Sequence, residues 1–174
     1  MKEDRIIIAG AGGQGIMFLG KIISEAAMLE GRHVTYLPAY GAEVRGGTAN
    51  CMVIISDEEI GSPFVDSASI IVAMNQPSLE RFGGRLKAGG TLVVNNSLAA
   101  VPKGMKKAIS FPFTGIALTM GDGRTANMVC LGCLAKKTGV VKLETVFKLM
   151  QKFSAKKELM ETNIRAITLG AELK

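Results

Sequence analysis

The fold of this 174-residue chain is decided by the stretch IIIAGAGGQGI, residues 6–16. The apolar run predicts a buried strand, and residues 16–29 follow with the apolar spacing of a helix. Between them lies a G-x-G-x-x-G turn, which is typical of dinucleotide-binding folds when it joins a strand to a helix. The helix start can receive a phosphate or carboxylate. The alternative is that these glycines only permit a tight turn and close packing.

Strand and helix patterns alternate along the rest of the chain, which indicates a mostly parallel sheet with helices on both faces. Neither state is clearly favoured at residues 113–117, and residues 88–90 predict a turn. Residues 1–174 are expected to form a single Rossmann-like, doubly wound α/β domain, because no linker or repeat interrupts them. Strands are predicted at residues 5–9, 33–37, 50–56, 69–74, 91–95 and 107–111, and helices at residues 15–30, 77–82, 127–137, 143–153 and 158–171.

The strand after the glycine turn lacks the acidic residue that would bind the ribose of NAD. A dinucleotide-binding strand at residues 33–37 should end in Asp or Glu. It ends instead in LPAY, residues 37–40, and a second glycine-rich segment, GAEVRGG, follows at residues 41–47. The sequence therefore predicts a dinucleotide-type fold whose site serves another ligand.

The second glycine segment carries one acidic and one basic residue. Glu43 and Arg45 lie two residues apart, so they share one face if the segment is extended. The guanidinium of Arg45 can bind a phosphate or carboxylate through two hydrogen bonds. Glu43 could instead neutralise Arg45 in a structural ion pair. Glycines on both sides favour the close approach of a ligand or a neighbouring chain, so we favour a binding role.

Composition narrows the functional class. The net charge is +6, and much of the excess lies after residue 100. A solvated basic face explains this, and a phosphate-bearing or acidic partner is the alternative. The sequence carries no nucleic-acid-binding motif, so we expect no nucleic-acid partner. We also expect no membrane span, since no run reaches about 18 apolar residues. A strand starts almost at once after Met1 and the cysteines number three, so we expect a cytoplasmic protein without disulfides.

No residue pattern indicates catalysis by this chain alone. Cys130 and Cys133 form C-x-x-C in an apolar helix, so buried thiols are favoured over a redox pair, and three cysteines cannot hold a four-thiolate cluster. The only histidine, His33, has no partner at motif spacing. Asn127 is expected to cap a helix, and Asn75 follows a strand; either could also contact a ligand at the sheet edge.

These motifs together resemble the gamma subunit of 2-oxoacid:ferredoxin oxidoreductases. They occur in order over about residues 5–135, and residues 37–51 are most similar to the 2-oxoglutarate branch. Ala42 stands where Pro is often found, and the pyruvate and indolepyruvate branches share much of the pattern. The matching motifs are Gly10-x-Gly12-Gly13-Gln14-Gly15-Ile16, Tyr40-Gly41-x-Glu43-x-Arg45-Gly46-Gly47, Ile55-Ser56-Asp57, Ile60-Gly61-Ser62-Pro63 and Asn127-Met128-Val129-x-Leu131-Gly132.

The resemblance implies a reaction shared among several subunits. A 2-oxoacid, coenzyme A and oxidised ferredoxin would give an acyl-CoA, CO₂ and reduced ferredoxin. Alpha and beta subunits would hold thiamine diphosphate with Mg²⁺, and beta or a ferredoxin-like delta subunit would hold iron–sulfur clusters. This chain would bind no cofactor or metal alone and would supply no catalytic residue, so the isolated chain is expected to be inactive.

The resemblance also places a gamma chain beside the active centre, where it helps to cover coenzyme A. Three alternatives stay open: a free-standing nucleotide-binding oxidoreductase, an assembly protein whose glycine loops only pack, and a gamma chain of the pyruvate or indolepyruvate branch. A homodimer of the isolated chain is a further open alternative. The residues expected to contact coenzyme A are Gly12, Gly13, Gln14, Gly15, Tyr40, Glu43, Arg45, Gly46, Gly47 and Asn127.

Overall fold

The structure, a computed structural model, describes residues 2–40, 48–105, 108–153 and 157–174. Strands and helices alternate along most of these residues, with four α-helices in succession at the end. Two short 3-10 turns lie at Gly83–Arg85 and Gly123–Thr125. The elements are β1 (Glu3–Ala11), α1 (Ile16–Leu29), β2 (His33–Tyr40), β3 (Thr48–Ser56), β4 (Ala68–Ala73), α2 (Gln76–Phe82), β5 (Leu86–Asn95), β6 (Ile109–Phe111), α3 (Phe113–Thr119), α4 (Ala126–Thr138), α5 (Leu143–Phe153) and α6 (Lys157–Ala171).

The strands form one sheet in the order β2-β3-β1-β4-β5-β6. β1, β4, β5 and β6 pair in parallel, whereas β3 runs antiparallel to both of its neighbours, β1 and β2. Only residues 41–47 separate β2 from β3, and a parallel crossover needs a dozen residues or more, so β3 must return in the opposite direction. The predicted mostly parallel α/β sheet is confirmed, with β3 as its one reversed strand.

Helices cover both faces of the sheet, as predicted. Ile6 and Ile8 of β1 belong to the larger core, which also holds the buried faces of α1, α4, α5 and α6. Ile7 belongs to the core on the opposite face, where Leu79 and Phe82 of α2 pack. Both faces of β1 are therefore buried, which explains its continuous apolar run.

One segment differs from the sequence-based expectation, and the structure decides a second for which the sequence favours neither state. Residues 88–90, predicted as a turn, lie inside β5, where the pairing register with β4 shifts between Ala68 and Ile70. Gly89 has a φ of 75°, which accommodates this irregularity without ending the strand. Residues 113–117, left without a predicted state, belong to α3.

The three cysteines are buried and free, which confirms the prediction of core thiols. Burial raises the pKa of Cys51 from 9.0 to about 12. Burial also raises the pKa of Cys133 to about 11, and that of Cys130 well above its ordinary value. A thiolate is the reactive form of cysteine, so these side chains act as small apolar groups at neutral pH.

Candidate ligand cleft at the sheet edge

The carboxyl ends of β1 and β4 meet at a topological switch point. These neighbouring parallel strands lead to helices on opposite faces, α1 on one and α2 on the other. Open α/β sheets bind ligands at such a crevice. Here the crevice is a cleft of about 180 Å³, called the edge cleft below, and its lining residues are Gly13, Gln14, Met74, Leu98, Thr114, Gly123, Arg124 and Ala126.

The side chain of Gln14 folds back over the end of the sheet. Its Oε1 accepts a hydrogen bond from the backbone N–H of Ala11 at 2.7 Å, and its Nε2 donates to the carbonyl oxygen of Met74 at 3.3 Å. A Cβ added to Gly10 would lie 2.6 Å from that same Oε1. The lack of a side chain at Gly10 is therefore what leaves room for the glutamine amide to join the ends of β1 and β4.

Gly15 and Asn127, two of the predicted site residues, lie in contact. Nδ2 of Asn127 donates to the carbonyl oxygen of Gly15 at 3.2 Å, although 112 residues separate them in sequence. The prediction that Asn127 caps its helix is wrong, because α4 begins at Ala126 and the cap position is Thr125. Its amide reaches across to α1 instead, so the structure brings the starts of α1 and α4 together.

Asn95 ends β5 and is completely buried. Its Nδ2 donates to the carbonyl oxygen of Met74 at 3.1 Å and to Oγ1 of Thr114 at 2.8 Å. Its Oδ1 accepts from the backbone N–H of Thr114 at 3.2 Å. Asn95 is not among the residues predicted for the site, although an amide closing an apolar strand at this sheet edge is the pattern that could have indicated it.

Arg124 supplies a cation to the edge cleft. Its side chain holds Asp122 through three hydrogen bonds, Nε to Oδ1 at 2.9 Å, Nε to Oδ2 at 3.1 Å and Nη2 to Oδ2 at 2.8 Å. These hydrogen bonds lower the pKa of Asp122 and raise that of Arg124. The side chain of Arg124 is 88% exposed. An anionic ligand can therefore reach the guanidinium, but it must share that group with Asp122.

The second glycine segment lies outside the described residues, and with it the predicted contacts Glu43, Arg45, Gly46 and Gly47. The strand ends on either side of it are described. The backbone of Tyr40 pairs with Ala49, and Thr48 pairs with Ala11. Both flanks therefore lie at the carboxyl edge beside the first glycine turn.

A second arginine stands near this flank. Nη1 of Arg81, on α2, donates to Oγ1 of Thr48 at 3.0 Å. Arg81 is exposed and approaches from the face of the sheet that α2 covers. Its position depends on how α2 packs, so the sequence pattern alone does not reveal it.

The strand order separates the end of β2, where an acidic residue that binds the ribose of NAD would be expected, from the glycine turn. β3 lies between β1 and β2, so β2 is two strands away from the glycine turn. An acidic residue at the end of β2 would stand about 10 Å from the turn at ordinary strand spacing. The absence of that residue therefore does not decide against a nucleotide, because the strand beside the turn is β3, which begins with Thr48.

Other sequence candidates lie outside the edge cleft or have structural partners. His33 pairs with Ser56 at the amino edge of β2, opposite the cleft. Oδ1 of Asn75 accepts from the backbone N–H of Ser78 at 3.0 Å and so caps α2. Over the described ranges, no three His, Cys, Asp or Glu side chains form a group able to hold a metal ion. Nor does any helix in those ranges have the length and apolar character to cross a bilayer.

Known proteins are similar to this chain over nearly its whole length. Residues 5–173 match the family model described as pyruvate ferredoxin/flavodoxin oxidoreductase. Ketoisovalerate oxidoreductase subunit VorA of Methanothermobacter thermautotrophicus is 39% identical over 98% of this chain, which spans only 36% of that relative. 2-Oxoglutarate synthase subunit KorC of Methanothermobacter marburgensis is 38% identical over 98% of this chain and 96% of its own length.

Solved structures show the same fold. The gamma subunit of a keto/oxoacid ferredoxin oxidoreductase from Geobacter sulfurreducens has a TM-score of 0.83 and 31% identity, covering 97% of this chain and 96% of its own. The 2-oxoglutarate:ferredoxin oxidoreductase from Magnetococcus marinus, solved with 2-oxoglutarate, coenzyme A and succinyl-CoA bound, has a TM-score of 0.88 and 26% identity. There the match covers 98% of this chain and 31% of that one. These matches confirm the resemblance to gamma subunits.

Proposed function

Since the chain belongs to the pyruvate ferredoxin/flavodoxin oxidoreductase family, we propose that it is the gamma subunit of a complex that oxidises 2-oxoglutarate. The complex converts 2-oxoglutarate and coenzyme A to succinyl-CoA and CO₂ and reduces ferredoxin. In this proposal the gamma chain covers coenzyme A and helps to assemble the subunits. Residues 1–174 act as one domain of a cytoplasmic complex.

The observation that carries the coenzyme A role is the convergence of two helix starts at the edge cleft. Asn127 of α4 holds the carbonyl oxygen of Gly15, where α1 begins. Helix starts present free backbone N–H groups and partial positive charge, which favour phosphate. Arg124 and Arg81 add cations to the same edge. Together these groups suit the phosphates of coenzyme A, and Arg45 is proposed to join them.

The chemistry of carbon–carbon bond cleavage belongs to partner subunits in this proposal. Thiamine diphosphate with Mg²⁺, when bound there, supplies carbanion stabilisation, and iron–sulfur clusters there carry the electrons. The described residues of this chain offer no metal-binding group. Its own residues bind and orient the phosphates of coenzyme A and exclude water from that side.

The proposed partners are alpha and beta subunits, together with a ferredoxin-like delta subunit if that subunit holds the iron–sulfur clusters. This chain matches 36% of the VorA relative, so that polypeptide is nearly three times as long as the matched segment. The remainder of such a polypeptide is a model for the neighbouring chain. Met28 and Leu29 are 61% and 63% exposed beside a groove of about 390 Å³ against α5, and this apolar surface suits a subunit contact.

2-Oxoglutarate is proposed because the KorC relative matches this chain along nearly its entire length. The VorA relative favours ketoisovalerate as the runner-up, and the pyruvate branch also belongs to the family. Rates with each 2-oxoacid, measured on the complex purified from its source cell, separate them. We expect the highest kcat/KM with 2-oxoglutarate. A higher value with ketoisovalerate or pyruvate would make that 2-oxoacid the substrate instead.

The coenzyme A role is tested by removing cations in the assembled complex. Arg45→Ala and Arg124→Ala are each expected to raise the apparent KM for coenzyme A at least tenfold, because a charge-assisted contact to phosphate is worth about 1.5–3 kcal/mol. Arg5→Ala is the matched control. Arg5 also pairs with an acid two residues away, Glu3, but it lies at the opposite edge of the sheet.

The control variant should leave the KM unchanged. If Arg45→Ala leaves both the KM for coenzyme A and subunit association at wild-type values, the proposed role is wrong. If association weakens and the KM does not change, the assembly alternative replaces it.

A further inference from the structure

One backbone carbonyl, that of Met74, accepts hydrogen bonds from two side-chain amides. Nε2 of Gln14 reaches it from the turn after β1 at 3.3 Å, and Nδ2 of Asn95 reaches it from β5 at 3.1 Å. Each amide is also fixed at its other end, Gln14 by the N–H of Ala11 and Asn95 by Thr114. A continuous chain of hydrogen bonds thus runs from the glycine turn to the first turn of α3.

This chain of hydrogen bonds joins opposite walls of the edge cleft. Gly13 and Gln14 line one wall, and Thr114 lines the other. Asn95 is 0% exposed, so it cannot touch a ligand in the cleft. Its side chain acts only through the groups that it holds, namely the carbonyl oxygen of Met74 and the main chain and hydroxyl of Thr114.

We propose that Gln14 and Asn95 are positioning residues: they form a brace, meeting at the Met74 carbonyl, that fixes the separation of the two cleft walls. This inference rests on the proposed function for the identity of the ligand, coenzyme A. It also reassigns Gln14 from a ligand contact to a support for the loop that contacts the ligand. The wall separation, and hence ligand affinity, depends on the brace.

Two observations distinguish the brace from ordinary core packing. Asn95 is completely buried and follows the buried Val93 and Val94 along β5, and a buried amide is tolerated only when its hydrogen bonds are made. On the other side, Gly10 leaves the space that Oε1 of Gln14 occupies. Both ends of the brace are thus built around an amide group, and both amides serve the walls of one cleft.

The first test follows hydrogen exchange in the full chain by NMR. In the Asn95→Ser variant the serine side chain is too short to bond both Met74 and Thr114, so the brace is broken at β5. The proposal expects the side-chain NH₂ of Gln14 and the backbone N–H of Ala11 to exchange about threefold faster or more, because local opening becomes easier. If faster exchange is confined to Thr114, the residues do not act as one brace and the proposal is overturned.

The second test measures kinetics in the assembled complex with coenzyme A as the probe. Asn95→Ser and Gln14→Met are each expected to raise its apparent KM about tenfold while kcat stays within about twofold, since misplaced walls weaken binding without changing the chemical step. Gln14 is only partly buried, so Gln14→Met decides the matter if Asn95→Ser fails to fold. Gln151→Met, on the exposed side of α5, is the matched control and should leave the KM unchanged.

Failure of the brace and failure of the proposed function give different results. If Arg45→Ala raises the KM for coenzyme A but both brace variants leave it unchanged, the brace is overturned and the proposed function stands. If Arg45→Ala and Arg124→Ala also leave it unchanged, the coenzyme A role has failed. The exchange rates of Gln14 then decide the brace alone: acceleration by Asn95→Ser supports it, and no acceleration overturns it.

Discussion

Asn127 donates its side-chain amide to the carbonyl oxygen of Gly15 at 3.2 Å, and this contact ties α4 to the beginning of α1. Gly15 has a φ of 68°, a backbone conformation that other residues rarely adopt. A Cβ at Gly15 would lie 2.2 Å from Nδ2 of Asn127. Position 15 is therefore restricted to glycine both by its backbone and by its neighbour.

Gly15→Ala should lower the free energy of unfolding by about 2–4 kcal/mol, since left-handed strain of about 1–2 kcal/mol is added to the clash with Asn127. Gly31→Ala is the matched control, because Gly31 has a φ of 79° but open space around its Cβ position. It should lose only the strain, about 1–2 kcal/mol. Urea unfolding of the full chain measures both values.

The contact itself is isolated by a double-mutant cycle. In an Asn127→Ala background, Gly15→Ala should be less damaging by about 1 kcal/mol or more, because the clashing amide is gone. Equal losses for Gly15→Ala in the two backgrounds, or equal losses at Gly15 and Gly31, would show that the two residues do not meet in solution.

A second glycine pair fixes α4 against α6. A Cβ at Gly132 would lie 1.9 Å from the carbonyl oxygen of Ile167, and a Cβ at Gly170 would lie 1.9 Å from that of Val129. Gly132→Ala should therefore force the helices apart and lower the free energy of unfolding by more than about 4 kcal/mol. Thermal unfolding followed by circular dichroism reports this as a lower Tm or loss of the cooperative transition.

The control for the helix crossing is Gly115→Ala on α3. A Cβ there would make only ordinary contacts, at 3.5 Å from Pro112 and Ser97. Alanine should be neutral or stabilise by up to about 1 kcal/mol, because it lowers the entropy of the unfolded chain. A Gly132→Ala variant as stable as Gly115→Ala would contradict the close crossing.

The cysteines should be unreactive in the native chain. At pH 8 a thiol-specific reagent should label Cys51, Cys130 and Cys133 only after unfolding, since burial raises the pKa of each thiol and excludes the reagent. Labelling of the folded chain at the rate of a free thiol would show that at least one of them is accessible.

The same pKa shifts predict how stability depends on pH. Unfolded thiols ionise near 9.0, whereas Cys51 in the folded chain stays protonated up to about 12. Below pH 9 the thiols are protonated in both states and cause no pH dependence. Above pH 9 the free energy of unfolding should fall, by about 1.4 kcal/mol per pH unit for each such thiol. Cys51→Ala should make that slope shallower by the contribution of one thiol, about 1.4 kcal/mol per pH unit.

Much of the fold could be predicted from the sequence because periodicity reports burial directly. The apolar run of Ile6, Ile7 and Ile8 and the glycine turn after it locate the central strand and the helix start as the structure has them. The direction of β3 and the bulge at Gly89 were not predicted. Both depend on pairing between strands far apart in sequence, which a local pattern does not encode.

The candidate site could be predicted only in part for the same reason. The glycine turn stands out because its spacing is local, and the structure brings Gly15 into contact with Asn127, another of the predicted site residues. Asn95 and Arg124 gain their roles from neighbours that only the folded sheet brings close. Gln14 lies where the sequence indicated, but the structure shows its amide bound to protein groups. Whether Arg45 binds a ligand stays a prediction.

The most direct test of the central claim is hydrogen–deuterium exchange on the chain alone, in the assembled complex, and in the complex with coenzyme A. Peptides covering residues 10–15 and 40–50 should slow about fivefold or more on assembly and further when coenzyme A is added, because binding suppresses local opening. Unchanged exchange at both peptides under all three conditions would show that this edge of the sheet faces neither a partner subunit nor coenzyme A.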